Sequence, residues 1–393
     1  MDSFWLNAAF YQASHALGRT ENNPAVGCVL VNKNQIVGVG ATSKKGRPHA
    51  EENAIRMAGN MVKGATMYIT LEPCNLENNN FSCTKQIIKN GIKKVVIGAL
   101  DPNPLTLKKG YEELNLNGIE VVLKKVSLQN FLLNYSQLCI HLKKRPMIAL
   151  KMAVSLDGNI FNLKKNNKWI TSKFSRLHVH QIRSLFDGIL IGTNTMIVDN
   201  PSLNIRINGY KQYNKRIVFD KFLKIDFKSN LLKNVKKNPL IIFTSKVKNK
   251  LKYNKLLSLG VKIHEINLDL KNNLSIKSFI QAIQNYGIKS ILLEGGAKIA
   301  SSFLNNKSID IIYLYRSNKF IGKDSINVID EIKNIDDFEL YNKVALEKDQ
   351  LEIWINKSIN KLYSSKMFTG ITTNIGFIKD INDRKKKRIS NRK

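Results

Sequence analysis

From Val26 onward the chain alternates short β-branched runs with segments of helical periodicity. It does so twice, restarting after the basic break His141-Leu142-Lys143-Lys144-Arg145-Pro146. Strands alternating with helices argue for α/β sheets covered on both faces. In the first series the pattern predicts a helix over 2–17, strands over 26–31 and 35–40 around an Asn32-Lys33-Asn34 turn, and a helix over 49–58 stopped by Gly59. A strand over 65–71, a helix over 83–89 closed by Gly91, a strand over 95–99, a helix near 109–116 and a strand over 119–123 complete it. The second series opens with the apolar run 147–154 and a Ser155-Leu156-Asp157-Gly158 turn, then a helix over 174–185 leading into a strand over 189–191. Further strands are expected at 216–219, 240–243, 261–266, 290–293 and 309–315. For 393 residues this means two domains with separate cores, divided beside Pro146.

Hydrophobic content of 43% and charged content of 24% are globular values, so wholesale disorder is not expected. No apolar run is long enough to span a membrane, and the N-terminus lacks a signal-peptide layout, so a cytoplasmic protein is the expectation. The net charge of +33 raises nucleic-acid binding. The lysines are scattered without interleaved aromatics that would stack bases, and the one dense run, 384–388, reads as a solvated tail. A compositional origin is therefore preferred over a nucleic-acid partner. Of the four cysteines, Cys28 and Cys139 have apolar neighbours and read as core residues. Cys74 and Cys83 flank a polar loop and need another explanation.

His49-Ala50-Glu51 opens a predicted helix, Pro73-Cys74 ends a strand, and Cys83 begins the next helix. One histidine and two cysteines suit a catalytic zinc site that keeps its fourth position for water. The metal lowers that water's pKa toward neutrality. Glu51, two residues from the histidine, suits proton transfer to a leaving amine. His49 alone reads as a helix cap and Pro73-Cys74 alone as chance. Together, in this order, they form the H-x-E…P-C signature of zinc nucleobase deaminases, with eight residues between the cysteines.

With Asn23-Pro24-Ala25-Val26-Gly27, Thr70-Leu71-Glu72 and Asp101-Pro102-Asn103-Pro104 added, this half resembles the deaminase half of the bifunctional riboflavin biosynthesis enzymes. The resemblance implies a cytidine-deaminase-like three-layer fold and zinc at His49, Cys74 and Cys83. It also implies Glu51 as general acid/base, Asn23 as a substrate contact, and a diaminopyrimidinone ribosyl phosphate as substrate. Three segments depart from the family's pattern. The family usually carries a His-rich stretch between the cysteines, where this chain has residues 75–82. It usually has a histidine where Gly40-Ala41-Thr42 stands, and a different glycine-containing stretch where Leu107-Lys108-Lys109-Gly110 stands. These departures keep a reductase with a degenerate deaminase domain as the alternative reading.

In the second half, Leu292-Leu293-Glu294-Gly295-Gly296-Ala297 is a strand running into a Gly-Gly turn and a helix, where backbone N–H groups can meet a phosphate. By itself this is an ordinary strand-to-helix turn, and no G-x-G-x-x-G supports a Rossmann domain. Together with Leu150-Lys151-Met152-Ala153, Trp169-Ile170-Thr171-Ser172, Gly192-Thr193-Asn194-Thr195, Asp199-Asn200-Pro201-Ser202-Leu203 and Arg206, it is similar to the reductase domain of the same family. That implies a dihydrofolate-reductase-like α/β fold using NADPH. Ala153, Trp169, Thr195, Asp199, Gly295 and Gly296 are then expected at NADPH. Lys151, Asn167, Arg183, Leu203, Arg206 and Glu294 are expected at the substrate. Core packing is the plain alternative for Trp169 and Leu203. The family further implies a homo-oligomer.

The expected division is a deaminase domain over 1–144, a reductase domain over 145–362 and a basic, flexible tail over 363–393. Within the tail, Met367-Phe368-Thr369-Gly370-Ile371, through Ile375-Gly376, is similar to the opening of riboflavin synthase, as a gene-fusion remnant would be.

Overall fold

The computed structural model describes residues 1–76, 82–162, 169–210, 213–322, 325–327, 332 and 337–365. Asn167 and the riboflavin-synthase-like tail segment lie outside the described residues.

The first sheet has five strands: β1 (Gly27–Asn32), β2 (Gln35–Ala41), β3 (Thr66–Ile69), β4 (Lys94–Ile97) and β5 (Glu120–Leu123), in the order β2-β1-β3-β4-β5. β1 runs antiparallel to both neighbours, whereas β3, β4 and β5 are parallel. The β1–β2 turn forms as expected, with Lys33 and Asn34 both at positive φ, the conformation a tight hairpin requires. Side chains alternate across the sheet. Cys28 and Leu30 face a layer containing Ala50, Ala54, Ile87 and Leu114. Val29 and Val31 face Leu6, Ala9 and Phe10 of the helix Asp2–Ala16. The domain is three-layered, as the resemblance implied.

The second half forms a nine-stranded sheet from β6 (Met147–Val154), β8 (Gly188–Gly192), β9 (Lys215–Phe219), β10 (Leu240–Thr244), β11 (Lys262–Glu265), β12 (Ser290–Glu294), β13 (Ile311–Arg316), β15 (Phe338–Leu346) and β16 (Asp349–Asn356). Its order is β11-β10-β9-β8-β12-β6-β13-β16-β15, and β7 (Asn159–Asn162) pairs separately with β14 (Ser325–Asn327). All strands from β11 to β13 are parallel, and the β15–β16 hairpin closes one side antiparallel. Periodicity did not announce that hairpin. A register shift between Leu340 and Asn342 interrupts its alternation, and Glu347 occupies the positive-φ turn position without a glycine or asparagine signal.

Between the sheets lie the helices Leu128–Leu133 and Tyr135–Leu138, continued by a π-helical turn, Cys139–Lys143. Phe131, Tyr135, Leu138 and Cys139 pack against Met147, Ala149, Leu292 and Ile311 of the second sheet. Asp310, fully buried, receives the Tyr135 hydroxyl at 3.0 Å, Lys143 Nζ at 2.9 Å and both Arg145 Nη atoms at 2.6 and 2.8 Å. The basic break is thus a clamp, because a buried carboxylate must be paired and hydrogen-bonded. A second link joins the halves: Lys289 Nζ donates to Asn23 O and to Thr20 Oγ1. Among the described residues no helix is long and apolar enough to cross a membrane.

Candidate active sites

His49 is the N-cap of the helix Ala50–Ala58, Cys74 follows the end of β3, and Cys83 starts the helix Cys83–Lys89. His49 Nδ1 lies 3.2 Å from Cys83 Sγ and 3.6 Å from Cys74 Sγ, and the three ligand atoms lie within 4.8 Å of one another. A tetrahedral zinc with ordinary bond lengths needs nitrogen–sulfur edges of roughly 3.5 Å and sulfur–sulfur edges of roughly 3.8 Å. The donor set fits. Hydrogen bonds from Cys83, and then from His49, hold the Cys74 thiol down at about 4 against its burial. The cysteine pair thus favours a sulfur anion at this site, as cation binding needs.

His49 and Cys74 open into a cleft of about 270 Å³, which Glu51, Asn23 and Thr42 also line. Glu51 is 4% exposed, and burial pushes its carboxyl up from the ordinary value. A carboxyl tuned toward neutrality suits both taking and giving a proton. Thr42 is already committed: its hydroxyl accepts from Val26 N at 2.9 Å and lies 3.0 Å from Pro24 O. It braces the loop that carries Asn23.

Sequence reasoning gave Glu72 no role, yet it shapes this site. Its buried carboxylate accepts N–H bonds from Asp101, Lys108 and Tyr111 at 3.1, 3.0 and 3.0 Å. It thereby ties the strand end beside Cys74 to the Asp101–Asn103 loop. A Cβ at Gly110 would lie 2.1 Å from Pro73 O, so only glycine lets the helix Lys109–Leu116 approach there. The departing segment 107–110 is therefore closely fitted to the metal-ligand strand. Position was the only signal for Glu72, which immediately precedes Pro73-Cys74. Gln137 and His141, which also line the cleft, carried none.

The second site lies at the carboxyl ends of β6, β8 and β12, where the strand order reverses, the usual place for a ligand in such a sheet. Glu294 and Lys151 are register partners on adjacent parallel strands. Arg183, near the end of the helix Lys173–Ser184, grips Glu294 through Nε at 2.6 Å and Nη2 at 2.9 Å, and reaches Asn204 O through Nη1 at 3.1 Å. Burial alone would raise the Glu294 carboxyl, but Arg183 outweighs it and holds it down at about 2. Lys151 is pushed down from its ordinary value, chiefly by burial. His180, on the same helix as Arg183, accepts the Arg206 N–H at Nδ1, and burial with Arg183 and Arg206 lowers its pKa to about 4.

Ala153 lies on β6, two residues beyond Lys151. Thr195 and Asp199 lie on the helix Thr193–Asp199 after β8, Asp199 being exposed. Gly295 and Gly296 join β12 to the helix Ala297–Asn305, and a Cβ built on Gly296 meets nothing within 4 Å. Such an open helix N-terminus, with free N–H groups, fits a dinucleotide phosphate. Trp169 is 53% exposed and stacks under the Arg176 guanidinium at 4.6 Å, so it is not a core residue. Leu203 is different. Its side chain is 3% exposed in the core under β8 to β10, with its backbone at φ +49°, leaving only main chain to face a ligand.

Residues 1–99 match the cytidine and deoxycytidylate deaminase zinc-binding region, and residues 146–350 match the RibD C-terminal domain. The riboflavin biosynthesis protein RibD of Aquifex aeolicus is 36% identical over 323 residues, covering 82% of this chain and 88% of its own. The chain belongs to the RibD family. The Bacillus amyloliquefaciens protein of the same name is 36% identical over 322 residues, covering 82% and 86%. RibD from Acinetobacter baumannii superposes with a TM-score of 0.80 at 30% identity, covering 90% of this chain and 98% of its own. RibD proteins belong to riboflavin biosynthesis, and this chain has both the deaminase and the reductase halves, served by zinc and NADPH. The reductase-only alternative is not favoured, since the zinc-binding region matches as a unit and its ligands converge.

Proposed function

We propose that the first site deaminates 2,5-diamino-6-ribosylamino-4(3H)-pyrimidinone 5′-phosphate with water, releasing ammonia. The second site then reduces the ribosyl group of the product to ribityl, giving 5-amino-6-ribitylaminouracil 5′-phosphate. A relative from Thermotoga maritima, superposing with a TM-score of 0.78 at 29% identity and covering 90% of this chain and 98% of its own, is titled a diaminohydroxyphosphoribosylaminopyrimidine deaminase and 5-amino-6-(5-phosphoribosylamino)uracil reductase. The observation that carries the reading is the convergence of His49, Cys74 and Cys83 beside the cleft that Glu51 lines.

Zinc held by those three residues supplies the Lewis acidity that lowers the pKa of an attacking water. Glu51 takes the water's proton and delivers it to the departing amine, and Asn23 positions the ring. In the second site NADPH supplies the hydride. Ala153, Trp169, Thr195, Asp199, Gly295 and Gly296 hold that cofactor. Lys151 and Glu294 orient the sugar, with Arg183 fixing Glu294. Arg206 takes the phosphate beside the Leu203 main chain, and Asn167 completes the substrate set. The assembly is a cytoplasmic homo-oligomer without a nucleic-acid partner, which light scattering with and without RNA tests.

The deciding experiment pairs ammonia release by zinc-loaded protein with NADPH oxidation on the deaminated intermediate, using Glu51→Gln as control. Release that vanishes in the variant, with NADPH oxidation retained, is expected. Equal release by wild type and variant would overturn the role of Glu51.

A further inference from the structure

Tyr135, Cys139 and Lys143 lie four residues apart along the helical connector between the domains, and Gln137 and His141 lie four apart on its other side. The first set faces the reductase sheet. Tyr135 and Lys143 bond to Asp310, and Cys139 is fully buried beside Met147 and Ala149. The second set lines the deaminase cleft together with Glu51 and Asp101. One face of the connector is therefore pinned, and the other borders the deaminase cleft.

Gln137 carries the decisive observation. Its side chain is 6% exposed, and its Nε2 is sealed from solvent with no hydrogen-bond partner among the described residues, so this donor meets a ligand only when the side chain turns into the cleft. Leaving a buried amide donor unpaired is unfavourable, and such groups persist where something else satisfies them. A carboxamide offers a donor and an acceptor side by side, which matches the N–H/C=O edge of a pyrimidinone ring in two parallel hydrogen bonds. His141, pushed below its ordinary pKa chiefly by burial, presents a neutral imidazole on the same wall.

We propose that Gln137 and His141 form a substrate-recognition wall of the deaminase cleft, Gln137 reading the lactam edge of the pyrimidinone and His141 contacting the ring beside it. This rests on the pyrimidine-deaminase reading above. The connector thereby couples the halves, since the reductase residue Asp310 holds the helix that carries the wall.

The test measures binding as well as turnover. Substrate affinity is determined by calorimetry on zinc-loaded Glu51→Gln protein, which binds without converting, with and without Gln137→Leu and, separately, His141→Leu. Gln137→Leu is expected to weaken binding roughly tenfold, from the loss of two neutral hydrogen bonds. In the otherwise wild-type enzyme it is expected to raise KM for ammonia release by the same factor with little change in kcat. Thermal stability should hold or rise, because the leucine removes an unpaired buried donor. His141→Leu should weaken binding about threefold. Unchanged affinity in Gln137→Leu overturns the proposal. Affinity and KM that move only with a fall in melting temperature also overturn it, by assigning Gln137 a structural role. Failure of the parent protein to bind the pyrimidine at all sinks the underlying deaminase reading, and is distinguished by being independent of residue 137.

Discussion

In the first domain the proposed chemistry sits between residues 49 and 83, on two helix starts and one strand end, and the candidate metal ligands bond chiefly to one another and to Glu51. In the second domain the proposed functional groups come from positions as far apart as Lys151 and Glu294, brought together by strand register and by the Arg183 ion pair. The first site is local and held by coordination. The second is distributed and held by the fold. Damage to the first should therefore silence one reaction and leave the chain standing, whereas damage to the second should cost stability along with activity.

The strongest test of that contrast removes a ligand. Cys83→Ser, or a chelator on the wild type, is expected to abolish ammonia release and to leave NADPH oxidation on the deaminated intermediate within about twofold, since catalytic zinc needs its full ligand set. Loss of both activities together would break the contrast.

Glu294→Gln tests the other side. It leaves the Arg183 guanidinium, largely buried, facing a neutral amide, and breaking a buried ion pair from one side costs about 3–5 kcal/mol. A drop of that size in denaturant-unfolding free energy of the reductase half is expected, with loss of reductase turnover. Lost turnover at unchanged stability would instead make Glu294 a purely chemical group.

How far each site was legible follows from the same contrast. His49, Cys74 and Cys83 are scarce residue types at fixed spacing on element ends, with Glu51 two residues from the histidine, so chemistry alone singled them out. Both sheets were largely legible too, because apolar runs such as 147–154 and 290–293 are short and bounded by polar or turn residues. The reductase residues gave no such signal. Lys151, Arg183 and Glu294 are ordinary charges whose partnership exists only once β6 lies beside β12, and they entered through family resemblance. Leu203, carried over by position, has its side chain in the core, so only its main chain is left to meet a ligand. The roles of Asp310, Glu72 and Gln137 depend on long-range contacts that no local pattern encodes.

A smaller effect is expected where the two sites meet. Lys289 is 9% exposed, and its ammonium bonds to Thr20 and to the main chain of Asn23, which lines the deaminase cleft. Lys289→Met keeps the stem and removes the charged donor, leaving Asn23 O to the Thr20 hydroxyl alone, at a cost of about 1.5–3 kcal/mol for a hydrogen bond to a charged group. A raised KM for deamination with an unchanged KM for reduction is expected. The reverse pattern would show that the link serves β12 instead.

A further effect is a pH dependence confined to the second domain. His180 accepts the Arg206 N–H at Nδ1, which requires that nitrogen unprotonated, and burial beside Arg183 and Arg206 lowers its pKa to about 4. In the unfolded chain a histidine titrates near about 6.5. As pH falls through that value the unfolded state takes up a proton that the folded state refuses, so stability declines between about pH 6.5 and 4 and levels off below it. His180→Asn keeps an acceptor near the Nδ1 position and removes the titration. Urea midpoints followed from pH 7 to pH 4.5 should fall less steeply in the variant than in the wild type, and parallel curves would remove His180 from the account of acid sensitivity.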